Sequence, residues 1–405
     1  MEELDSDRKR EELSWLENLQ RNSWEPEVII SGIILAFLFA FPSKIYAFSA
    51  TLVQEIGMSY LGAVLVLFYL SAMISVFKIF FIVHLTLRFI WAGFLGLSYA
   101  FPQGVVKEKL FKISQHYEYQ KPGELVLSME RICSLTFAYP ISLVFPILVS
   151  TAYLVLLLFI YLWFEINFFI VYLIFMVSIF LFAIISLINR KAKWRAKLAK
   201  SMMASVSAIY QSNLGKWFSI FYGLGIFLLA TPLIYNDVRD FSLFFNEANL
   251  LENELKWPTK ELSYEEFHEE GKRYPRAFLP TETVSGDYLK LGIARYAGDD
   301  KYLVDLRGNF KNELDSLGWH ELEDTPDLYR FSIGDEVIMA DSWKRNRLQV
   351  SNQKVYEGIL PIGNLPPGIY TLKIEKLLVR YNLFSNKPEE IRLREKWDEI
   401  DFIKE

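Results

Sequence analysis

Cysteine is almost absent. Cys133 is the only one in 405 residues, so an intramolecular disulfide and a Cys-based zinc site are both excluded. Four histidines (His84, His116, His268, His320) are too scattered for a metal-ligand spacing. No HExxH, no GxSxG elbow and no GxxxxGK[ST] loop occurs, which removes the commonest local signatures of zinc hydrolysis, acyl transfer and nucleotide binding. Long apolar runs contain no aspartate, so an intramembrane aspartyl dyad is excluded, and the mid-membrane acids of ion-coupled transporters are missing. The N-terminus, MEELDSDRKREELSWLENLQ, lacks the basic n-region and cleavage site of a signal peptide, so the first apolar run is expected to stay as an anchor. No basic patch interleaved with aromatics suggests nucleic acid as a partner.

What the chain does contain is apolar length, unevenly placed. Residues 1–235 hold nineteen Lys/Arg against fifteen Asp/Glu, whereas residues 236–405 hold twenty-four against thirty-three. A basic, apolar part followed by an acidic, polar part reads as two domains in two environments. Spans need about 20 apolar residues. Five segments qualify: 28–48, 59–77, the uncharged run between Arg131 and Glu165, the run between Glu165 and Arg190, and 217–235. With the N-terminus in the cytoplasm, the inner segments carry eighteen Lys/Arg and the outer loops one, Lys44. That asymmetry is the positive-inside signature. An odd number of crossings then exports the acidic part.

FKIFFIVHLTLRFIW (77–91) carries Lys78, His84 and Arg88. Twenty helical residues from Ser59 already cover the hydrocarbon thickness of about 30 Å, which puts Lys78 at the boundary, where its stem can snorkel. At about 100° per residue the three cations share one side of a helix that no Gly or Pro interrupts between 64 and 92. Segment 79–101 therefore reads as an interfacial extension of the second span, and Gly93 and Gly96 as either a close-packing seam or a weak helix end. Glu130 and Arg131 open the next span at the same level, so Lys78, His84, Arg88, Glu130 and Arg131 form a candidate lipid-headgroup or interhelical polar cluster. Glu130 is expected to pair with Arg88 or Lys78. The run RKAKWRAKLAK supplies candidate anionic-lipid contacts: Arg190, Lys191, Lys193, Arg195, Lys197 and Lys200. Leu13, Trp15, Leu16 and Leu19 form an amphipathic stripe for the membrane surface or a neighbour.

From about residue 284 the pattern changes to period two. DYLKLGIARY, LYRFSIGDEVI and GIYTLKIEKLLV alternate apolar with polar residues, as half-buried antiparallel strands do. Before them, Ser263 to Glu266 has capping-box spacing and Gly271 could end a short helix. The acid pairs Glu265-Glu266, Glu269-Glu270 and Asp299-Asp300 read as solvated faces, since no calcium-loop spacing accompanies them. Leu365-Pro366-Pro367-Gly368-Ile369-Tyr370-Thr371-Leu372 resembles the strand-start corner of immunoglobulin-like sandwiches. The resemblance implies a β-sandwich and no activity, and neither a cysteine pair nor a core Trp accompanies it.

The expected architecture is an α-helical polytopic membrane domain of about five transmembrane helices, followed by a mainly-β, immunoglobulin-like sandwich. Its parts are a cytoplasmic amphipathic segment (1–27), a transmembrane domain (28–235), a partly helical juxtamembrane linker (236–283) and an extracytoplasmic β-rich domain (284–405). The expected location is the cell membrane. The expected function is non-enzymatic binding, sensing or envelope assembly through the external domain, with no cofactor. An oligomeric channel, passive transporter or membrane-perturbing effector is one alternative, and a lipid-modifying enzyme is another. Expected partners are the bilayer, anionic lipids, and an envelope protein or a second copy of the chain.

Overall fold

A computed structural model describes residues 24–164, 168–188, 202–215, 217–245, 260–268, 272–319, 322–349, 351–382 and 387–405. The N-terminal stripe at 13–19, Glu165, the basic run 190–200, Glu269-Glu270 and Gly271 lie outside the described residues. Six helices come first: α1 (Trp24–Gln54), α2 (Tyr60–Ala100), α3 (Pro122–Phe164), α4 (Phe168–Ile188), α5 (Met202–Leu214) and α6 (Phe218–Phe245). Four stretches are long and apolar enough to cross a membrane: Pro26–Gln54, Tyr60–Ala100, Ile147–Phe164 and Ile220–Arg239. No more than 39% of any such window is buried, so most of each span presents apolar side chains outward, as lipid allows and water does not.

One expectation changes here. The span count is four among the described residues, one fewer than the sequence suggests. In the missing one, α4, the apolar stretch that can be described is only Phe169–Ser178. Within the segment expected as a partly helical linker, α6 continues through Phe245. Segment 79–101 does prolong the second span: α2 is a single helix of 41 residues, about 60 Å long and twice the hydrocarbon thickness. A side chain added at Gly93 or Gly96 would meet open space, so these glycines seat no neighbour among the described residues.

The chain separates into two compact units, one of residues 1–42, 71–154 and 186–234, the other of 43–70, 155–185 and 235–405. Within the first, α2, α3, α5 and α6 meet at an aromatic knot of Phe80, Tyr139, Tyr210 and Tyr222. Tyr139 stands edge-on to Tyr210 (5.5 Å) and Tyr222 (4.9 Å), the geometry that ring quadrupoles favour. The Tyr210 hydroxyl, taken out of water, donates to the Leu135 carbonyl at 2.6 Å.

The second unit contains the β-rich region. After a short helix α7 (Lys260–Ser263) come β1 (Ala277–Phe278), β2 (Thr283–Val284), β3 (Tyr288–Ala294), α8 (Ala297–Asn309) and α9 (Lys311–Ser316). Then follow β4 (Tyr329–Ile333), β5 (Glu336–Ile338), β6 (Trp343–Arg347), β7 (Lys354–Pro361), β8 (Gly368–Tyr381) and β9 (Pro388–Lys404). They form two sheets, ordered β1-β3-β7-β6 and β2-β9-β8-β4-β5. One core joins them: Leu289, Leu291, Ile293 and Leu360 from the first meet Phe331, Leu372, Ile374 and Phe402 from the second, with Leu303 and Leu306 of α8. The alternation read from the sequence appears directly, with Tyr329, Phe331 and Ile333 buried on one face of β4.

The strand order departs from the immunoglobulin pattern. Two helices interrupt the sequence of strands between β3 and β4, and β2 pairs parallel with β9, whereas immunoglobulin sheets are antiparallel. The corner itself is present locally: the Tyr370 hydroxyl donates to the Pro366 carbonyl at 2.9 Å. Such a hydrogen bond needs only a turn and a tyrosine four residues on, so it does not specify a topology. Ser263 opens no capping box either. Leu279 N–H donates to the Ser263 carbonyl and Glu265 N–H to the Leu279 carbonyl, which draws the segment into an edge pairing instead.

Candidate functional site

Two clusters of buried charge stand out, one in each unit. The first grows from the helical spacing of Lys78, His84 and Arg88. All three turn inward and are 6%, 1% and 4% exposed. Arg88 is forked between two carboxylates: its Nη1 donates to Glu130 Oε2 at 2.8 Å and its Nη2 to Glu27 Oε2. Bidentate guanidinium geometry suits this bridging of two helices, α1 and α3, through a third. His84 Nδ1 lies 2.9 Å from Ser31 Oγ, and its Nε2 lies 3.8 Å from Glu27 Oε2. Lys78 Nζ sits over the Phe39 ring at 5.2 Å, a cation–π contact. Arg131 is exposed and takes no part in this arrangement. Glu27 is the member that sequence reasoning missed. The signal was available in WEPEVII, where an acid sits at the same level as Glu130 on the opening turn of the first span.

The second cluster belongs to the β-rich unit and was not expected at all. Lys376 Nζ pairs with Asp299 Oδ1 at 2.8 Å, and the Tyr329 hydroxyl donates to Asp299 Oδ2 at 2.8 Å. Both charged groups are enclosed, Asp299 at 1% and Lys376 at 4% exposure. Three rings surround the ammonium: Tyr296 at 4.7 Å, Tyr329 at 5.1 Å and Trp397 at 5.5 Å. Burial, reinforced by the neighbouring carboxylate, holds the Tyr329 phenol well above its ordinary pKa, so it remains a donor to Asp299. Asp299 was expected on a solvated face; only Asp300 is solvated, pairing with Arg295 at 2.6 Å. The period-two pattern carried a signal for Lys376, which continues the inward series Leu372, Ile374.

Two arginines complete this neighbourhood. Arg394 stands directly across the β8–β9 ladder from Lys376, next to a register shift that follows Ile374. Arg276 donates to the Trp397 carbonyl. Asp398 accepts from Ala277 N–H at 2.9 Å. Burial lifts its carboxyl above the ordinary range, against the pull of Arg276 and Arg394. These groups and the turn between α1 and α2 surround a cavity of about 100 Å³, lined by Gly57, Met58, Ser59 and Tyr60 on one side and by Arg276, Asp299, Lys376 and Arg394 on the other.

A third feature fastens the α1–α2 turn to the β-rich region. Gln54, the last residue of α1, donates its amide to the Tyr274 carbonyl at 2.9 Å, and Gln353 does the same at 2.7 Å. Gln353 also accepts from Tyr274 N–H at 2.8 Å. Asn352, at φ 51°, makes the left-handed step that presents Gln353, a conformation Asn tolerates better than most residues. Glu55 pairs with Lys354 at 2.9 Å and with Arg273 at 3.4 Å. Burial opposes ionisation of Glu55, but the Lys354 hydrogen bond and the two positive charges prevail and hold its carboxyl below the usual range.

No group of three or more His, Cys, Asp or Glu side chains suited to a metal occurs among the described residues. The sequence matches no family model, no curated protein matches it, and no solved structure matches the fold.

Proposed function

We propose that this chain is a multi-pass membrane protein whose β-rich domain, on the extracytoplasmic side, binds or senses a ligand and passes the bound state to the first two helices. The observation that carries this reading is the clasp at the α1–α2 turn. Gln54 and Glu55 connect a membrane helix to Tyr274, Arg273 and Lys354 without a slack tether. Any shift of the start of β7 or of the segment before β1 acts directly on the end of α1. Buried hydrogen bonds and partly buried ion pairs transmit such a shift because breaking them leaves polar groups unsatisfied.

The clasp also bears on topology. It supports a plan with the α1–α2 turn and the β-rich domain on one face of the membrane. An even number of crossings then separates Gln54 from Tyr274. Helices α2, α3 and α6 account for three, and the apolar helix Phe168–Ile188 is the segment available for the fourth. With the basic segments inside, that face is extracytoplasmic.

The test uses the lone cysteine. With Cys133→Ser as background, Lys373→Cys on exposed β8 is treated with a membrane-impermeant maleimide on intact cells. Labelling without lysis is the expected result. Labelling only after lysis overturns the extracytoplasmic assignment.

A further inference from the structure

His268 meets a backbone carbonyl at each ring nitrogen: Nδ1 lies 2.7 Å from the Glu261 oxygen and Nε2 3.0 Å from the Lys272 oxygen. A neutral imidazole has one N–H in either tautomer, and a carbonyl oxygen only accepts. One of the two contacts would then set a nitrogen lone pair against an oxygen lone pair. Only the imidazolium, with two N–H groups, satisfies both. The demand arises locally in the chain. Glu261 stands in the single turn of α7, and Glu265, four residues on, donates its N–H to the Leu279 carbonyl instead. The Glu261 carbonyl thus has no helical donor, as at any helix end, and His268 takes that place.

The same ring lies flat on Tyr274, 3.8 Å between centroids and 19° between planes, a position in which a charged imidazole is attracted to the aromatic face. Tyr274 lies in turn on Phe278 at 3.8 Å, and Phe278 covers Gly292 of β3 so closely that a Cβ there would collide with the ring. Tyr274 is 2% exposed, and its backbone holds both Gln54 and Gln353. The charged groups on the neighbouring elements are matched among themselves. Lys272 pairs with Glu261 at 3.8 Å, Lys260 with Glu282, and Arg273 with Glu55. Glu266 accepts from the Glu282 N–H at 2.7 Å. Burial, and then the Glu265 charge, keep the Tyr274 phenol above its ordinary range, so the ring beneath His268 stays neutral. Imidazole is the side chain that changes charge between about pH 5 and about pH 8.

We propose that His268 is a proton-operated latch: as imidazolium it ties α7 to the segment before β1 and stacks on Tyr274, and on losing its proton it releases the segment. The proton is then a signal that the β-rich domain passes to the α1–α2 turn through Tyr274 and Gln54, an extension that rests on the sensing reading above. The sign follows from the two carbonyls. The closed segment is held at low pH, where the imidazole is charged, and is lost as pH rises and one N–H disappears.

Amide hydrogen exchange tests this on the full-length protein in neutral detergent, at about pH 5.5 and about pH 8, with rates corrected for the intrinsic exchange of an unfolded chain. The readouts are the amides of Glu265, Tyr274 and Leu279, each hydrogen-bonded in the closed segment. They should exchange about tenfold faster at the higher pH, the effect of losing one hydrogen bond to a charged group. His268→Gln should exchange fast at both values. His268→Arg, which keeps a charge and several donors, should exchange slowly at both. No pH dependence in the wild type overturns the latch, as does an equal dependence in His268→Gln. Should the variants not fold, NMR of wild type carrying isotope-labelled histidine decides. Two N–H groups at the lower pH on the ring in contact with Tyr274 sustain the latch, and a single N–H there removes it. Maleimide labelling at residue 373 reads topology without reference to pH, so failure of the latch and failure of the extracytoplasmic assignment are told apart.

Discussion

Both units bury a cation against carboxylates, and they do so by opposite logic. In the helical unit one arginine serves two acids, Glu27 and Glu130, contributed by different helices. In the β-rich unit three cations converge on Asp299 and Asp398, and a cavity remains beside them. The first arrangement sets two acids against one guanidinium, with His84 alongside. The second leaves a cavity of about 100 Å³ beside it. The first fixes the register of helices, because any sliding separates charges that are partly withdrawn from solvent.

The largest expected effect that would break this comparison is Arg88→Met. It leaves Glu27 and Glu130 without their common partner and should cost about 3–5 kcal/mol, read as loss of folded protein in detergent denaturation. Replacing all three charges with apolar residues of similar size should recover most of that loss. If the single variant is as stable as the wild type, the cluster does not lock the helices.

Asp299→Ala should follow, also at about 3–5 kcal/mol, because Lys376 is left buried without its carboxylate. Asp299→Asn keeps the volume and a hydrogen-bond partner for Tyr329 and should cost less. Combining Asp299→Leu with Lys376→Met should restore most of the lost stability. No recovery in the double variant would mean that the loss does not come from the unpaired ammonium.

A smaller effect concerns the clasp. Gln54→Ala removes one buried amide hydrogen bond to Tyr274 and should cost about 1 kcal/mol in thermal unfolding. Smallest is the pH term of Glu55. Its folded carboxyl lies below the usual range, so it stabilises above the ordinary carboxylate pKa, and that contribution is lost as pH falls through the lowered folded value. Glu55→Gln should therefore be less stable than the wild type at neutral pH, with the gap closing on acidification. A gap that does not change with pH would assign the loss to packing.

Parts of this arrangement were legible in the chain and parts were not, for identifiable reasons. The helical run through Lys78, His84 and Arg88 could be read because a period near 3.6 is a local property. The pairing of Arg88 with Glu130 follows from level alone, since a membrane gives the sequence a depth coordinate. Glu27 has the same depth and was within reach of that argument. Asp299 and Lys376 lie 77 positions apart, with no membrane to set their level. Only the packing of α8 against β8 brings them together. The register shift beside Arg394 is likewise not written in any short motif.

Apolar length and period thus determined by themselves that this is a membrane protein with a sheet-rich second part, because burial of a span or a strand face depends on nearest neighbours along the chain. The helices that bridge Arg88, the orders of the two sheets and the ring of cations around the cavity were decided by tertiary structure. Those depend on which distant surfaces meet, and charge buried between them has an energy set by its neighbours in space.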